Sequence, residues 1–441
     1  MSKSSERRVQ WDERWLFAPL STLSRGIRLW VVVCATALTA GWSALLNGNM
    51  LVSWGLPDVQ FYFSMANGYI GLVPQPFSSR PLAPMLARWL ADRTHFWVQG
   101  CFAVVAYLSL LATLGVVFWL LLCTAAPRWM VLAVAAVPFW PQLLRHAGLP
   151  DPLYAALLAA LLVTLEREWM TGAAVLMFPL MLARESTTLT LLCLLAVSWR
   201  QMRWRGCVLA LASLFVGAAV VRHLAIGSLP NPEQLTGPVY MTGKFVSNSM
   251  RSLGVLPWSN VYPELCGAPA WQFPLHLGRV QSVGVCSWAP GAPQQMLTAL
   301  LTTFGVLPWL LLAARRQRGP VARDLPPRPD LLLRFCLVYG GISFAIAPML
   351  GTWYSRLFGY GWPLALVAVP RLLWPAAEAS TRVAGSRKLW GVLGVLHLLV
   401  CVVANREVSG AMLCSIAVLE AAAVALLLVQ RRAPVESSPA A

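Results

Sequence analysis

Long apolar runs are the feature of this sequence that most constrains its fold. They recur from residue 27 to the C-terminus, and several are long enough for the roughly 20 residues that an α-helix needs to cross a bilayer. Charged residues make up only 12% of the chain, about half the share that is usual in a soluble domain. The sequence therefore predicts an all-α fold, in which residues 1–441 form a single polytopic transmembrane helical bundle.

We predict about twelve helices from the apolar runs. Those between residues 129 and 199 are short for a full span, which leaves the number open by one pair. The predicted segments are 27–46, 98–123, 129–144, 152–165, 170–184, 186–199, 206–226, 294–314, 331–349, 359–376, 388–404 and 411–430.

Basic residues indicate how the bundle is oriented. With the N-terminus inside, most of the 34 Lys and Arg residues fall in short inner segments, although the outer loops are longer in total. This distribution predicts a bacterial inner (cytoplasmic) membrane protein with both termini in the cytoplasm. It also accounts for the net charge of +17 without nucleic acid, which we do not expect as a partner.

Two long loops are predicted on the external side, at residues 47–97 and 227–295. The first contains two amphipathic juxtamembrane helices that we expect to lie in the membrane interface. The clearer of the two has apolar residues with helical spacing at Leu82, Met85, Leu86, Trp89 and Leu90. The second loop contains Cys266 and Cys286, for which we expect a disulfide outside the membrane and keep two free thiols as the alternative.

Three external carboxylates are candidates for chemistry, because an ionisable group near the membrane is costly unless it is paired or used. They are Asp58, Asp151 and Glu185. Asp58 follows Pro57 at the start of an amphipathic segment, so it is either a helix N-cap or a general base acting on a hydroxyl group.

Arginines recur in four separate external loops at the same membrane level. Arginine binds phosphate oxygens through two parallel hydrogen bonds, which makes these residues candidate phosphate ligands. The alternatives are contacts with membrane lipid head groups, or internal pairs such as Arg184 with Glu185 and Arg145 with Asp151. The candidates are Arg80, Arg145, Arg184 and Arg356, together with His146 beside the second of them.

These motifs resemble the GT-C membrane glycosyltransferases, in particular the aminoarabinose transferases and protein mannosyltransferases. The shared features are Asp58 shortly after the first helix, the Arg80-Pro81-Leu82-Ala83-Pro84 entry to the second amphipathic helix, and Arg356 ahead of a helix near Pro363. The chain departs from the family in having Val59 and Gln60, not a second carboxylate, after Asp58, and in lacking a large domain after the last helix.

The resemblance implies a GT-C-like fold and an inverting transferase whose donor is a polyprenyl-phosphate-linked sugar. It implies Asp58 as the base and Arg356 and Arg80 as phosphate ligands, with weaker support for Arg145, His146 and Arg184. A glycan, a lipid or a protein remains open as the acceptor. We expect no metal and no cofactor, because the sequence shows neither clustered carboxylates nor His and Cys at ligand spacing.

Two other classes of function remain open. A lipid-linked glycan flippase or transporter would need ionisable residues along a path through the membrane, and only His397 and Glu420 lie deep in predicted helices. A glycan polymerase or ligase would use external arginines and a histidine without the carboxylate of the first loop.

Overall fold

The computed structural model of this chain is mostly helical, which confirms the all-α prediction in outline. One small β-sheet in the second long loop is an addition that the sequence did not predict. The structure describes residues 16, 18–46, 57–230, 237–259, 271–277, 280–311, 330–351, 353–374, 387–404 and 410–430.

Helices follow one another closely in the N-terminal half. They are α1 (Arg25–Leu46), α2 (Pro57–Ala66), α3 (Leu82–Thr94), α4 (Val98–Leu122), α5 (Trp129–Ala135), α6 (Phe139–Arg145), α7 (Asp151–Glu166), α8 (Met170–Val175), α9 (Met177–Ala183) and α10 (Thr187–Leu224).

The C-terminal half combines helices with the three strands. Its elements are α11 (Gly237–Ser252), β1 (Val255–Ser259), β2 (Trp271–Leu277), β3 (Val280–Trp288), α12 (Gly291–Thr302), α13 (Leu331–Leu350), α14 (Tyr354–Gly359), α15 (Val369–Leu373), α16 (Arg387–Ala404) and α17 (Gly410–Gln430). A π-helical turn, Pro363–Ala368, leads directly into α15.

Four helices of the described chain are long and apolar enough to cross a membrane: α1, α4, α10 and α13. They mark the chain as a membrane protein. Several other predicted spans form shorter apolar helices in the described residues, so the prediction of about twelve spanning helices is not confirmed.

Prolines explain why two predicted spans are each divided into short helices. Pro138 separates α5 from α6. Pro179 lies inside α9, where it has no N–H to donate to the carbonyl group of Val175, the last residue of α8. Because each piece is only 6 or 7 residues long, neither pair forms one straight span.

Helix α10 joins two segments that the sequence predicts as separate helices. Its 38 residues would extend about 57 Å if straight, nearly twice the hydrocarbon thickness. Arg203 breaks the helix with φ 54° and ψ 173°, in the left-handed region that residues other than glycine rarely adopt. The break falls in the basic segment that the sequence predicts as an inner loop.

The amphipathic helix α3 contacts the protein with its small residues. Ala83, Ala87 and Ala91 are buried, whereas Met85 and Trp89 are about half exposed. The large apolar residues therefore face outwards, where an interfacial helix would meet lipid, and the alanines allow close packing against the bundle.

Charged groups anchor both ends of helix α7. Asp151 begins the helix, and Glu166 at its other end pairs with Arg371 of α15 at 2.7 Å. Arg371 also pairs with Asp330, the N-cap of α13. The two ends are about 22 Å apart along an otherwise uncharged helix, so the charge clusters lie at opposite faces of the bundle.

The second long loop is folded in part. β3 lies between β1 and β2 and pairs with both in antiparallel fashion. Cys286 in β3 is disulfide-bonded, whereas the other cysteines of the described residues are free thiols. Cys266, its predicted partner, lies outside the described residues.

Close packing between α13 and the π-helical turn yields a stability prediction. A Cβ on Gly340 would lie 2.4 Å from Leu364 Cβ and 2.9 Å from its backbone nitrogen, so Gly340→Ala must displace the backbone. We expect it to lower the melting temperature of the purified protein. In contrast, a Cβ on Gly341 meets nothing within 4 Å, so Gly341→Ala is the matched control and should cost nothing. Equal melting temperatures for the two variants would contradict the packing.

Candidate functional site

The carboxylate of Asp151 is the centre of a buried charge cluster. The Asp151 side chain is 3% exposed. Its Oδ2 accepts a hydrogen bond of 2.9 Å from Arg356 Nε and lies 2.7 Å from Arg356 Nη2. Its Oδ1 accepts hydrogen bonds from Arg184 and from the Tyr360 hydroxyl group. One carboxylate therefore joins three segments that are far apart in sequence.

A second ion pair lies beside the first. Arg80 donates from Nε to Glu185 Oε2 at 2.7 Å and from Nη2 to the other carboxylate oxygen, a bidentate arrangement. Its Nη1 donates to the Tyr62 hydroxyl group at 3.0 Å. Arg80 therefore connects the entry to α3 with helix α2 and with the start of α10.

The backbone at Arg184 explains how the two ion pairs are connected. Arg184 ends α9 in an extended conformation, with φ −165° and ψ 138°. Adjacent side chains of an extended segment point in opposite directions, so Arg184 reaches Asp151 while Glu185 reaches Arg80. The alternative pairing of Arg184 with Glu185 is therefore not formed.

Arg145 and His146 are neighbours with different surroundings. Arg145 is exposed at the end of α6 and forms no ion pair within the described residues, so its alternative pairing with Asp151 is not formed either. His146 is 3% exposed, and its ring meets the edge of Trp353 with the centroids 4.5 Å apart. Its Nε2 has no hydrogen-bond partner in the described part of the chain.

A small pocket opens between His146, Asp151 and Arg356. Its free volume of about 20 Å³ is enough for one water molecule. Gln142 also lines it, and the Oε1 of this side chain, like His146 Nε2, has no partner among the described residues. Two buried polar atoms therefore remain available to a group that enters the pocket.

Asp58 lies one turn before Tyr62 on helix α2. Residues four apart share a helix face, which places Asp58 on the side that Arg80 contacts through Tyr62. Asp58 is half-buried, and it forms no ion pair or side-chain hydrogen bond with the described residues. Because α2 begins at Pro57, Asp58 belongs to its first turn, so the N-cap interpretation is wrong.

Val59, the residue after Asp58, packs helix α2 against the loop that leads to the charge cluster. A Cβ on Gly148 would lie 2.4 Å from Val59 Cγ1, so only glycine allows this contact between α2 and the loop after His146. Val59 is fully buried. The backbone that bears Asp58 is therefore held against the loop that precedes Asp151.

Electrostatics keep the cluster ionised and positively charged. Burial would raise the pKa of Asp151, but the Arg356 and Arg184 guanidinium groups outweigh it and lower that pKa to about 2. Burial likewise opposes ionisation of Glu185, and Arg80 lowers its pKa to about 2. The three arginines therefore exceed the two carboxylates by one positive charge at neutral pH.

His146 adds no charge to the cluster. Burial, followed by the nearby Arg356, lowers the pKa of His146 to about 3. The imidazole is therefore neutral at pH 7, and it can interact with a group in the pocket through a hydrogen bond but not through a charge.

Tyr62 and Tyr360 are site residues that the sequence reasoning missed. Each lies four residues after a candidate, Tyr62 after Asp58 and Tyr360 after Arg356. This i,i+4 spacing on short helices is the signal that would have identified them.

Acid should destabilise the folded protein in two stages. Because the pKa of His146 falls from 6.5 to about 3 on folding, the unfolded chain binds that proton more readily, and stability falls as the pH drops below 6.5. The pKa of Asp151 falls from 3.8 to about 2, so its contribution is present above pH 3.8 and is lost between these values. Melting temperatures measured across this range should show both stages.

A histidine variant separates the two stages. His146→Gln should make the first decline smaller and keep the second, whereas His223→Gln, at an exposed position, should leave both unchanged. An unchanged first stage in His146→Gln would contradict the assignment.

No protein-family model, curated protein or solved structure matches this chain. The resemblance to the GT-C glycosyltransferases therefore rests on the residues of the first loop and of the Arg356 region alone. Function is therefore inferred from the charge cluster, the pocket beside it and the position of Asp58.

Proposed function

We propose that this protein is a GT-C-type glycosyltransferase of the bacterial inner membrane, with its active site on the periplasmic face. It transfers a sugar from a polyprenyl-phosphate donor to a glycan, lipid or protein acceptor, with inversion and without a metal ion. The observation that carries the proposal is the convergence of Arg80, Arg184 and Arg356 into one cluster with an excess positive charge, in which Arg80 bonds to Tyr62, one helical turn from Asp58.

Arg356 is the best candidate for binding the donor phosphate. Its bonds to Asp151 use Nε and Nη2, which leaves Nη1 outside this ion pair. Arg145, the residue before His146, is exposed and adds a positive charge that has no ion-pair partner among the described residues. These cations stabilise the charge that collects on the phosphate as the glycosidic bond breaks.

Arg184 supports the phosphate site by fixing the cluster. It bonds to Asp151 and Tyr360, and its guanidinium carbon lies 4.2 Å from the Tyr360 ring centroid. We infer that Arg184 and Asp151 together hold Arg356 in place, because a preorganised cation stabilises a transition state without moving.

Arg80 acts in this proposal as a positioning residue. Its bonds to Glu185 and Tyr62 engage all three of its nitrogens. Its contact with Tyr62 orients α2 and with it Asp58. The phosphate role that the resemblance implies for Arg80 stays a prediction, and this geometry favours the positioning role.

Asp58 is the proposed general base. The acceptor hydroxyl oxygen forms a bond to the anomeric carbon of the sugar while the bond from that carbon to the phosphate oxygen breaks. The bonding pair leaves with the phosphate, and the hydroxyl proton passes to the Asp58 carboxylate. The products are the glycosylated acceptor and polyprenyl phosphate.

One observation favours the polymerase or ligase class as a second candidate. His146 is neutral and buried at the pocket, and its Nε2 has no hydrogen-bond partner among the described residues. In that case the histidine and the arginines would carry the reaction and Asp58 would be dispensable. The low pKa of His146 makes it a weak base, so we rank this function second.

Replacing Asp58 distinguishes the two candidates. Asp58→Asn should lower the rate of transfer at least about 100-fold, the usual contribution of a general base, while the melting temperature changes little. The measurement is transfer of radiolabelled sugar from a membrane lipid extract to endogenous acceptor.

Asp92→Asn is the matched control. Asp92 is an exposed carboxylate of α3 whose pairing with Arg88 at 3.8 Å is weak. This variant should keep full activity. Full activity of Asp58→Asn, with loss in His146→Gln, would instead support the polymerase or ligase.

A further inference from the structure

A polar groove lies beside the charge cluster, between helices α12 and α14. Its volume is about 420 Å³, within the range of about 300–1,000 Å³ that is typical of small-molecule sites. Ser355 lines both this groove and the small pocket that contains Asp151 and Arg356. The two spaces therefore meet at the residue that precedes the proposed phosphate ligand.

Five of the seven described residues that line the groove have neutral side chains that can form hydrogen bonds. On α12, Gln294, Thr298 and Thr302 recur every four residues and so form one stripe, with Gln295 beside it. The seven lining residues that the structure describes carry no charge. Such a surface suits a ligand rich in hydroxyl groups better than a phosphate or an isoprenoid chain.

The two glutamines are the groups most available to a ligand. Both are exposed, and neither amide has a side-chain hydrogen bond with the described residues. The threonines are already engaged, since Thr302 donates to the Thr298 carbonyl oxygen at 2.7 Å and Thr298 contacts Cys414 at 3.2 Å. Each glutamine amide offers both a donor and an acceptor, which matches the two roles of a sugar hydroxyl group.

From this arrangement we infer that the groove between α12 and α14 binds the saccharide of the donor, with its phosphate at Arg356 and its hydroxyl groups on Gln294 and Gln295. This inference rests on the proposed function and adds to it the site that recognises the sugar. The cluster binds the carrier, whereas the groove distinguishes a glycosylated carrier from a bare one.

The test compares the affinities of polyprenyl phosphate and of its hexose, pentose and aminopentose derivatives for the detergent-purified full chain. Wild type should bind at least one glycosylated form about tenfold more tightly than the bare carrier, because each hydrogen bond to the sugar adds a modest increment. The variant with Gln294→Ala and Gln295→Ala together should bind both forms equally. Alanine keeps the helix, because its helix propensity exceeds that of glutamine.

Leu297→Ala is the control, since Leu297 is exposed on the same helix and does not line the groove. It should keep the preference for the glycosylated carrier. A preference that survives in the double variant, or equal binding of all forms by wild type, would overturn the sugar site and leave carrier binding intact. Failure of wild type to bind any form would overturn the proposed function as well.

Discussion

The structure around the proposed site depends on one buried carboxylate, Asp151. It neutralises two guanidinium groups that would otherwise be buried close to each other, and it ties the start of α7 to Arg184 and Arg356. Removing one partner of such a buried pair typically costs about 3–5 kcal/mol, because the remaining charge stays desolvated. Asp151 is therefore a structural anion, and its low pKa keeps it ionised across the physiological range.

This arrangement connects stability with the proposed chemistry. Carboxylates hold Arg80, Arg184 and Arg356 in fixed positions before any substrate arrives, yet the cluster keeps an excess positive charge. A phosphate group entering beside Arg356 therefore meets an attractive, preorganised field. Asp58 forms no ion pair with the described residues, which suits the proton-accepting role proposed for it. In the proposed mechanism, Asp151 and Glu185 hold the arginines in place, and Asp58 accepts the proton.

The sequence predicted most of the helices and the charged residues of the site, but neither its two tyrosines nor the ion pairs that form. Long apolar runs located the helices, the cost of charge near a membrane singled out Asp151 and Glu185, and the recurrence of arginine in external loops singled out Arg184 and Arg356. The pairing depends on the extended backbone at Arg184, which no local signal indicates. Helix α6 ends at Arg145, so Arg145 is exposed while the next residue, His146, is buried. The sequence does not indicate this helix end. The sheet was missed because its strands are short and interrupted by proline and glycine.

Native mass spectrometry of the detergent-purified protein tests the central claim most directly, namely that the arginine cluster binds a phosphate-linked polyprenyl carrier. The account predicts a co-purified polyprenyl phosphate, or its glycosylated form, in wild type. The adduct should disappear in Arg356→Ala and persist in Asp58→Asn, because only the first variant loses a phosphate ligand. An adduct that Arg356→Ala retains, or the absence of any carrier from wild type, would contradict the account.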